Sequence, residues 1–243
     1  MDGRKVFRIT GGDAKGFLQN LVTNDVEKLS EGLVWAALLT PQGKYLADFF
    51  LVAEGNAILL DVDESLAASL LQRLKMYKLR ADVEIVETDV SPALGLGAAP
   101  EGAFADPRHT ALGWRAYDGR ASENADWDAL RVMHEVPETA VELIPNESYP
   151  LEMGFERLNG VDFRKGCYVG QEVTARMKHK TELRKGLRKV QVEGQAPIGT
   201  EIVNAAGKTV GTLYSQADGE GLAYLRFDRI DDQMTAGEAQ VSA

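Results

Sequence analysis

The residues most capable of chemistry are Cys167, the only cysteine in a chain of 243 residues, and those around it. Residues 165–172 read KGCYVGQE. Gly166 and Gly170 allow a tight backbone path on either side of the thiol, because glycine has no side chain to restrict its dihedral angles. We therefore expect the function of the chain to centre on this loop.

A predicted helix start after Cys167 and cationic side chains before it should both increase the reactivity of this thiol. Gln171 and Glu172 are typical of the first turn of a helix, and Arg164 and Lys165 stand just before Cys167. A helix N-terminus and neighbouring cations create a positive potential that favours the thiolate. Such a thiolate is a candidate nucleophile, redox sensor or single ligand of a transient cluster. The alternative is a buried structural cysteine.

Several common classes of catalytic site are excluded because their motifs do not occur. His109, His134 and His179 lie far apart, and no HxxxH, HExxH or CxxC spacing occurs, so no metal site of the usual zinc or mononuclear iron type is predicted. An iron–sulfur cluster normally takes four thiolates, and this chain has one. The sequence also contains no Walker-type phosphate loop, no complete dinucleotide fingerprint and no GxSxG nucleophile elbow.

The net charge of the chain is negative, but the segment around the cysteine is positively charged. The net charge is −10, which disfavours general binding to nucleic acid. Residues 164–189 hold nine basic and two acidic side chains, giving +7 there and −17 over the remainder. A local basic surface suits a small anionic ligand or an acidic partner, although a solvated helix and strand edge has the same composition.

Composition also predicts the class of protein. Hydrophobic residues make up 44% of the chain, as in ordinary globular proteins, and no apolar run approaches the roughly 20 residues that span a bilayer. The polar N-terminal sequence does not fit a secretion signal. A single cysteine cannot form an internal disulfide, which fits a reducing compartment. We expect a cytoplasmic protein that binds no membrane and, since nothing in the sequence demands an oligomer, a monomer.

Hydrophobic patterning places the cysteine loop after an α+β body and before a C-terminal domain. Helices are predicted from Asp13 to Val22 and over residues 64–78 and 124–136. Strands of the body are predicted at residues 6–9, 33–39, 45–52, 57–62 and 83–86. The pattern weakens between residues 98 and 124.

The segment after about residue 183 has a different pattern. Short strands separated by glycine-containing turns are predicted at residues 187–192, 201–203, 209–214 and 222–227. This spacing is typical of a small β-barrel or sandwich. We therefore divide the chain into an α+β body, residues 1–183, and a C-terminal β-barrel domain, residues 184–243.

The KGCYVGQE segment resembles the signature of the YgfZ-type folate-binding proteins, bacterial relatives of a mitochondrial iron–sulfur assembly factor. These proteins are related in turn to the glycine-cleavage T protein, a tetrahydrofolate-dependent aminomethyltransferase. Residues 17–26, 39–44 and 79–83 are similar to the family's first helix and following turn, its hairpin turn and its post-helix segment. The resemblance covers essentially the whole chain and is weakest between residues 98 and 146.

The resemblance implies a fold and a function. The fold is a ring of two interleaved α+β subdomains with a C-terminal small β-barrel, and tetrahydrofolate or another folate binds in the central cavity. The function is that of an accessory factor for the assembly or repair of iron–sulfur proteins. Its partners are then iron–sulfur proteins or their assembly factors, and its functional residue is Cys167.

The resemblance also implies a set of folate-binding residues. Trp127 matches an indole that contributes to the family's folate site, and Asn24, Asp25 and Gln42 would hydrogen-bond the pterin edges. Trp127 is equally well a core anchor, and each of the other three is of a type that more often serves as an ordinary turn residue. The signature segment and the helix after it supply the remaining candidates, which are Lys165, Tyr168, Gln171, Glu172 and Arg176.

Two departures separate this sequence from the T protein. Adjacent carboxylates after the family's hairpin turn are here Ala47-Asp48, so Asp48 is the one candidate catalytic carboxylate, and strand alternation allows it to face solvent. The family's acidic residue after Trp127 is here Met133, whose thioether cannot donate a hydrogen bond. Two other functions stay open: an aminomethyltransferase acting through Asp48, and a scaffold that binds an acidic protein through residues 176–189.

Overall fold

The larger of two sheets forms the frame of the body in the computed structural model, which describes residues 3–180 and 182–243. Its strands within those residues are β1 (Arg4–Thr10), β2 (Val34–Leu39), β3 (Tyr45–Glu54), β4 (Ala57–Asp63) and β5 (Glu84–Glu87). They lie in the order β2-β3-β4-β1-β5, and every neighbouring pair is antiparallel. All of β2 and most of β3 are buried, because both faces of the sheet are covered.

Two helices, α1 (Ala14–Gln19) and α2 (Glu64–Lys78), cover one face of this sheet. The Asp63 side chain accepts a hydrogen bond from the Ser65 N–H and so caps the first turn of α2. The buried residues of α2 recur at the spacing of one helix face and are Ala67, Leu70 and Leu74. The predicted bounds of α2 are confirmed. Helix α1 ends before the predicted Val22, because Val22 leaves the helix to bridge Leu38 at the sheet edge.

A second subdomain lies against the opposite face. It contains a small antiparallel sheet of β6 (Ala93–Gly95), β7 (Ala103–Ala105) and β8 (Trp114–Ala116), followed by α3 (Trp127–Met133). These strands were not predicted, because three residues are too few to show an alternating pattern. Helix α3 is shorter than the predicted 124–136. Its first turn is capped by Asp126, and Glu135 has a φ of 54°, a left-handed conformation that ends the helix.

The C-terminal segment closes into the predicted small β-barrel. In the described part of the chain its strands are β9 (Lys185–Glu193), β10 (Thr200–Val203), β11 (Thr209–Ala217), β12 (Glu220–Arg226), β13 (Met234–Ala236) and β14 (Ala239–Ser242). They pair in the closed order β10-β11-β12-β9-β14-β13, and a separate apolar core fills the interior. Patterning predicted β9 to β12 but not the two short strands that complete the closure.

The body, the second subdomain and the barrel share one hydrophobic core. Trp35 and Phe155 stack at its centre with ring centroids 4.2 Å apart, Val132 of α3 packs with them, and Leu187 and Leu222 reach in from the barrel. The junction of the three parts is therefore packed with side chains. The last helix, α4 (Gln171–Lys180), connects this core to the barrel. Thr181 and the side chain of Lys180, which belong to the predicted basic segment, lie outside the described residues.

Candidate functional site

Cys167 is exposed, and the backbone on both sides of it is anchored in the body. The Lys165 side chain is buried before it and Tyr168 is buried after it. Tyr168 packs into the central core, whereas Val169 packs against the core beneath α1 and α2. The loop thus passes between two cores and leaves Gly166 and the thiol in solvent. This finding excludes the alternative of a buried structural cysteine.

Lys165 holds the loop to the end of α1. Its ammonium group donates to the carbonyl oxygens of Gln19, Val22 and Asn24 at 2.7, 2.6 and 3.0 Å. An ammonium has three donors, so all of them are engaged within the protein. Burial lowers the pKa of Lys165 to about 8, against the opposing effect of Asp25 and Asp162. The role of Lys165 in this structure is therefore to position the loop, with no donor left for a thiolate or a folate.

The hairpin turn between β2 and β3 supports the loop from the other side. Gly170 has a φ of 84°, and a Cβ placed on it would lie 2.7 Å from the carbonyl oxygen of Thr40. A Cβ placed on Gly43 of the same turn would lie 2.9 Å from the Cβ of Val173 in α4. Because neither Gly43 nor Gly170 has a side chain, the hairpin turn and the signature loop can pack closely against each other. The hairpin and the signature loop form one packed unit.

Helix α4 begins directly after this unit. The Gln171 N–H donates to the carbonyl oxygen of Tyr168, and Thr174 donates to that of Gly170 from both its N–H and its hydroxyl. This confirms the predicted helix start at Gln171. Glu172 and Arg176 are exposed on α4, and Lys178 pairs with Glu156. The exposed thiol therefore lies on a fixed loop, directly before a helix that carries exposed charged side chains.

Asp162, which the sequence did not single out, orders the start of the loop. Its carboxylate accepts hydrogen bonds from the Arg164 N–H at 2.7 Å and forms an ion pair with Lys28 at 2.7 Å. Burial alone would raise the pKa of Asp162, but the Lys28 and Arg164 contacts outweigh it and hold that pKa below its usual value. The side chain of Arg164 is 89% exposed. Of the two cations predicted beside the thiol, only Arg164 extends into solvent.

Asp48 is buried, so the solvent-facing alternative left open by strand alternation is wrong. Its carboxylate accepts hydrogen bonds from Trp35 Nε1 at 2.8 Å, the Tyr45 hydroxyl at 2.7 Å and the Thr139 hydroxyl at 2.7 Å. Burial, reinforced by the Asp48 charge, raises the pKa of Tyr45 well above its usual value, which keeps the hydroxyl a donor. The chain itself thus supplies partners for both carboxylate oxygens.

The predicted folate residues do not surround a common cavity. Gln42, Glu172 and Arg176 are exposed, Trp127 is half-buried at the start of α3, and Met133 is exposed near its end. Asn24 is buried, and its amide donates to the carbonyl oxygens of Trp35 and Asn159.

Asn24 also borders a surface cavity of about 440 Å³, which the other eight predicted folate residues do not line. The fold family implies a folate at the centre of the ring, where Trp35, Tyr45, Phe50 and Phe155 are here fully buried against one another. Arg108 and Arg115 lie over the Phe50 ring at 4.8 and 3.9 Å from its centroid. Interiors packed in this way leave no room for a ligand of that size. The residues present do not fit a folate beside Asp48.

Known proteins resemble this chain in its barrel, its whole sequence and its fold. A family model described as the CAF17 C-terminal beta-barrel domain matches residues 184–243. The crystal structure of the glycine cleavage system aminomethyltransferase T from Bartonella henselae superposes with a TM-score of 0.75 over 98% of this chain and 81% of that chain, at 12% sequence identity. The T-protein fold expected from the sequence is confirmed.

Two mammalian proteins match over nearly the whole sequence. The mitochondrial iron–sulfur cluster assembly factor IBA57 of Homo sapiens is 31% identical over 95% of this chain and 77% of its own length. The mouse protein of that name is 32% identical over the same shares. Because that identity covers 95% of this chain, the chain belongs to the family of the IBA57 iron–sulfur cluster assembly factors.

Proposed function

We propose that this chain takes part in the assembly of iron–sulfur proteins and that the Cys167 thiolate is one ligand of a cluster in transit between proteins. The observation that carries the proposal is an exposed thiol on a loop held between two buried cores. Family membership supports the class of function, since the mammalian relatives bear the name of iron–sulfur cluster assembly factors.

In this proposal a partner protein supplies the other ligands. Within residues 3–180 and 182–243, no group of three or more His, Cys, Asp or Glu side chains is arranged to hold a metal ion. A cluster normally takes four protein ligands, so one thiolate holds it only together with a second protein. The thiol of Cys167 gives its proton to solvent, its sulfur bonds to a cluster iron, and the bond from that iron to one partner ligand breaks. Oxidation states do not change.

The chain's own residues position this ligand. Lys165 and Gly170 hold the backbone on either side of Cys167, so little conformational freedom remains to be lost when the sulfur binds. Exposure of the thiol lets a second protein approach it. Since Asp48 is hydrogen-bonded on all sides in the core, we assign it to stability and propose no aminomethyl transfer.

The experiment that tests the proposal compares Cys167→Ser with Gly166→Ala in a strain lacking this protein. Gly166 is the matched control, because it adjoins the thiol and a Cβ built on it meets no atom within 4 Å. We expect Cys167→Ser to lose the activity of iron–sulfur enzymes and Gly166→Ala to retain it, at equal protein levels. With the purified chain and a cluster-loaded donor, the visible spectrum should change for the Gly166→Ala variant only. Full support by Cys167→Ser would overturn the assignment.

The resemblance predicts tetrahydrofolate binding, whereas the filled central core argues against it, and no step of this proposal passes through a folate. Anaerobic calorimetry with tetrahydrofolate tests the prediction directly. We expect no saturable binding up to about 1 mM ligand, since the central core is filled. Saturable binding that Trp127→Phe weakens would contradict this expectation and restore a folate site at α3.

A further inference from the structure

Two strand edges border the surface cavity of about 440 Å³ beside Asn24. Residues 32–34, at the start of β2, line it, and so do residues 103–105, which form β7. β2 is an edge strand of the larger sheet, and β7 is an edge strand of the small sheet. The N–H and C=O groups on the outer side of an edge strand have no neighbouring strand to pair with, so such an edge can accept a further strand.

In β7, the main-chain groups of Ala105 point away from the sheet. The Asp106 N–H donates to the carbonyl oxygen of Gly113 at 2.9 Å, so Asp106 lies on the side of the strand that bonds to β8. Main-chain direction alternates along an antiparallel strand, so Phe104 also bonds to β8, while Ala105 presents its N–H and C=O to the free side. The Ala103 N–H agrees with this alternation, because it donates to the segment before β7 rather than to β8.

The start of β2 has unpaired main-chain groups as well. Farther along β2, Thr23 covers the edge: its N–H donates to the Ala37 carbonyl oxygen at 3.0 Å, and its hydroxyl accepts from the Ala37 N–H at 2.9 Å. By the same alternation, Leu33 and Trp35 point their main-chain groups to this side, where Asn24 donates to the Trp35 carbonyl oxygen. In the described part of the chain, Leu33 has no main-chain hydrogen-bond partner.

The β7 edge has none of the side chains that usually protect an edge from pairing. Proteins commonly block an exposed edge with charged residues or proline. At the far edge of the larger sheet, β5 follows this rule, because it carries Glu84 and Glu87. β7 reads Ala103-Phe104-Ala105, with no charge and no proline. The β7 edge is therefore suited to accepting a strand.

The charge of the cavity favours a basic occupant. Among the residues that line it, Lys28 and Glu31 carry charge. Lys28 is already paired with Asp162 at 2.7 Å. Glu31 is exposed and forms no ion pair within residues 3–180 and 182–243. The unpaired charge beside the two edges is therefore negative, and a cationic side chain is complementary to it.

We propose that this cavity docks an extended, basic segment of a partner protein, which adds a strand along the β7 edge and pairs an Arg or Lys side chain with Glu31. Main-chain hydrogen bonds supply the affinity in this mode of recognition, and the charge supplies selectivity. β7 has three residues, so about three residues of the segment pair with it. The inference goes beyond the proposed function and does not depend on a cluster at Cys167.

The test uses the full chain and a labelled peptide of about eight residues, in which Thr and Val alternate around one central Arg. We expect saturable binding with a Kd of about 10–100 μM. The same peptide with N-methylated main-chain amides keeps its side chains but loses its main-chain donors, so its affinity should fall about tenfold or more.

The charge match is tested with a second peptide that has Gln in place of the Arg. It should bind about threefold more weakly than the Arg peptide at low salt. Glu31→Gln should weaken binding of the Arg peptide by a similar factor and leave binding of the Gln peptide unchanged. Glu193→Gln, at an exposed position of the barrel, is the matched control and should bind both peptides like the parent.

Ala105→Pro tests the edge from the side of the protein. Proline removes the outward N–H and places a ring at the edge, but it costs no hydrogen bond to β8, so the thermal midpoint should stay close to that of the parent. Glu87→Pro is the matched control, because the N–H of Glu87 points outward from the β5 edge. We expect Ala105→Pro to weaken binding about tenfold or more and Glu87→Pro to bind like the parent.

Cys167→Ser should bind the peptide like the parent, so a failure of the cluster proposal leaves the docking proposal intact. Three results would overturn docking: no saturable binding below about 1 mM, equal affinity for the peptide and its N-methylated form, or equal weakening by Ala105→Pro and Glu87→Pro. Unchanged binding of the Arg peptide by Glu31→Gln would overturn the preference for a basic segment. If Ala105→Pro unfolds at a much lower temperature, the N-methylated peptide still decides the matter, because it is used with the parent protein.

Discussion

The ammonium group of Lys165 lies 2.6 Å from the carbonyl oxygen of Val22, a residue 143 positions earlier in the chain. This contact ties the signature loop to the first subdomain at the point where α1 ends. It means that the place of the Cys167 thiol is set by two distant segments of the sequence, and that a change in either one alters the loop.

Replacing Lys165 by methionine should destabilise the protein and loosen the loop. Methionine fills a similar volume but leaves the carbonyl oxygens of Gln19, Val22 and Asn24 without this donor. We expect the free energy of unfolding to fall by about 2–4 kcal/mol, as for buried acceptors left unpaired. Urea unfolding measures the loss, and hydrogen exchange should increase across residues 163–170. The exposed Arg164→Met serves as the control, and equal stability of the two variants would contradict the role of Lys165.

Gly170→Ala tests the close contact between loop and hairpin. The added Cβ would lie 2.7 Å from the Thr40 carbonyl oxygen, and the φ of 84° disfavours any side chain. We expect a loss of about 1–3 kcal/mol in unfolding free energy, visible as a lower thermal midpoint. Gly166→Ala, in open space, should change that midpoint little. If both variants melt like the parent, the contact does not fix the loop.

Asp48→Asn should lower stability without removing cluster delivery. An amide has one acceptor oxygen where the carboxylate has two, so at least one of the donors Trp35, Tyr45 and Thr139 loses its partner. We expect a loss of about 1–3 kcal/mol by urea unfolding, against no loss for the exposed Asp89→Asn. Cluster delivery per folded molecule should be unchanged. A variant that folds normally but cannot deliver clusters would return Asp48 to the functional residues.

The stacked rings of His109 and His134 make stability depend on pH. Their centroids lie 4.1 Å apart, and burial together with the charges of His109, Lys189 and Arg157 lowers the pKa of His134. Glu135 faces the same cluster and pairs with Arg157 at 3.2 Å. The folded protein therefore binds fewer protons than the unfolded chain just below the ordinary histidine pKa, about 6.5, so stability is present above that pH and falls as pH decreases through it.

The measurement for the histidine pair is the urea midpoint at pH about 7.5 and about 5.5, on either side of the ordinary histidine pKa. His134→Gln should reduce the difference between the two midpoints. His179→Gln, at an exposed position on α4, should leave it as in the parent. An identical pH dependence in the parent and in His134→Gln would show that other groups cause it.

Patterns that are local in sequence predicted much of the fold. The spacing of Leu66, Leu70, Leu71 and Leu74 predicted α2, whose bounds the structure confirms, and the start of α4 at Gln171 followed from the residues after the signature glycine. Strands of three residues, such as β6 and β13, were not predicted, because so short a segment carries no periodic signal and forms only when a neighbouring strand pairs with it.

The sequence by itself determined the α+β body, the C-terminal barrel, the family and the loop that bears Cys167, because each depends on adjacent residues or on a contiguous motif. Only the tertiary structure decided which charged side chains lie beside the Cys167 thiol and which are buried. It turned Lys165 inward to the end of α1, buried Asp48 among three donors and filled the centre of the ring with aromatic side chains. Side-chain direction and burial arise from segments that meet across more than a hundred residues, and no local pattern encodes where those segments meet.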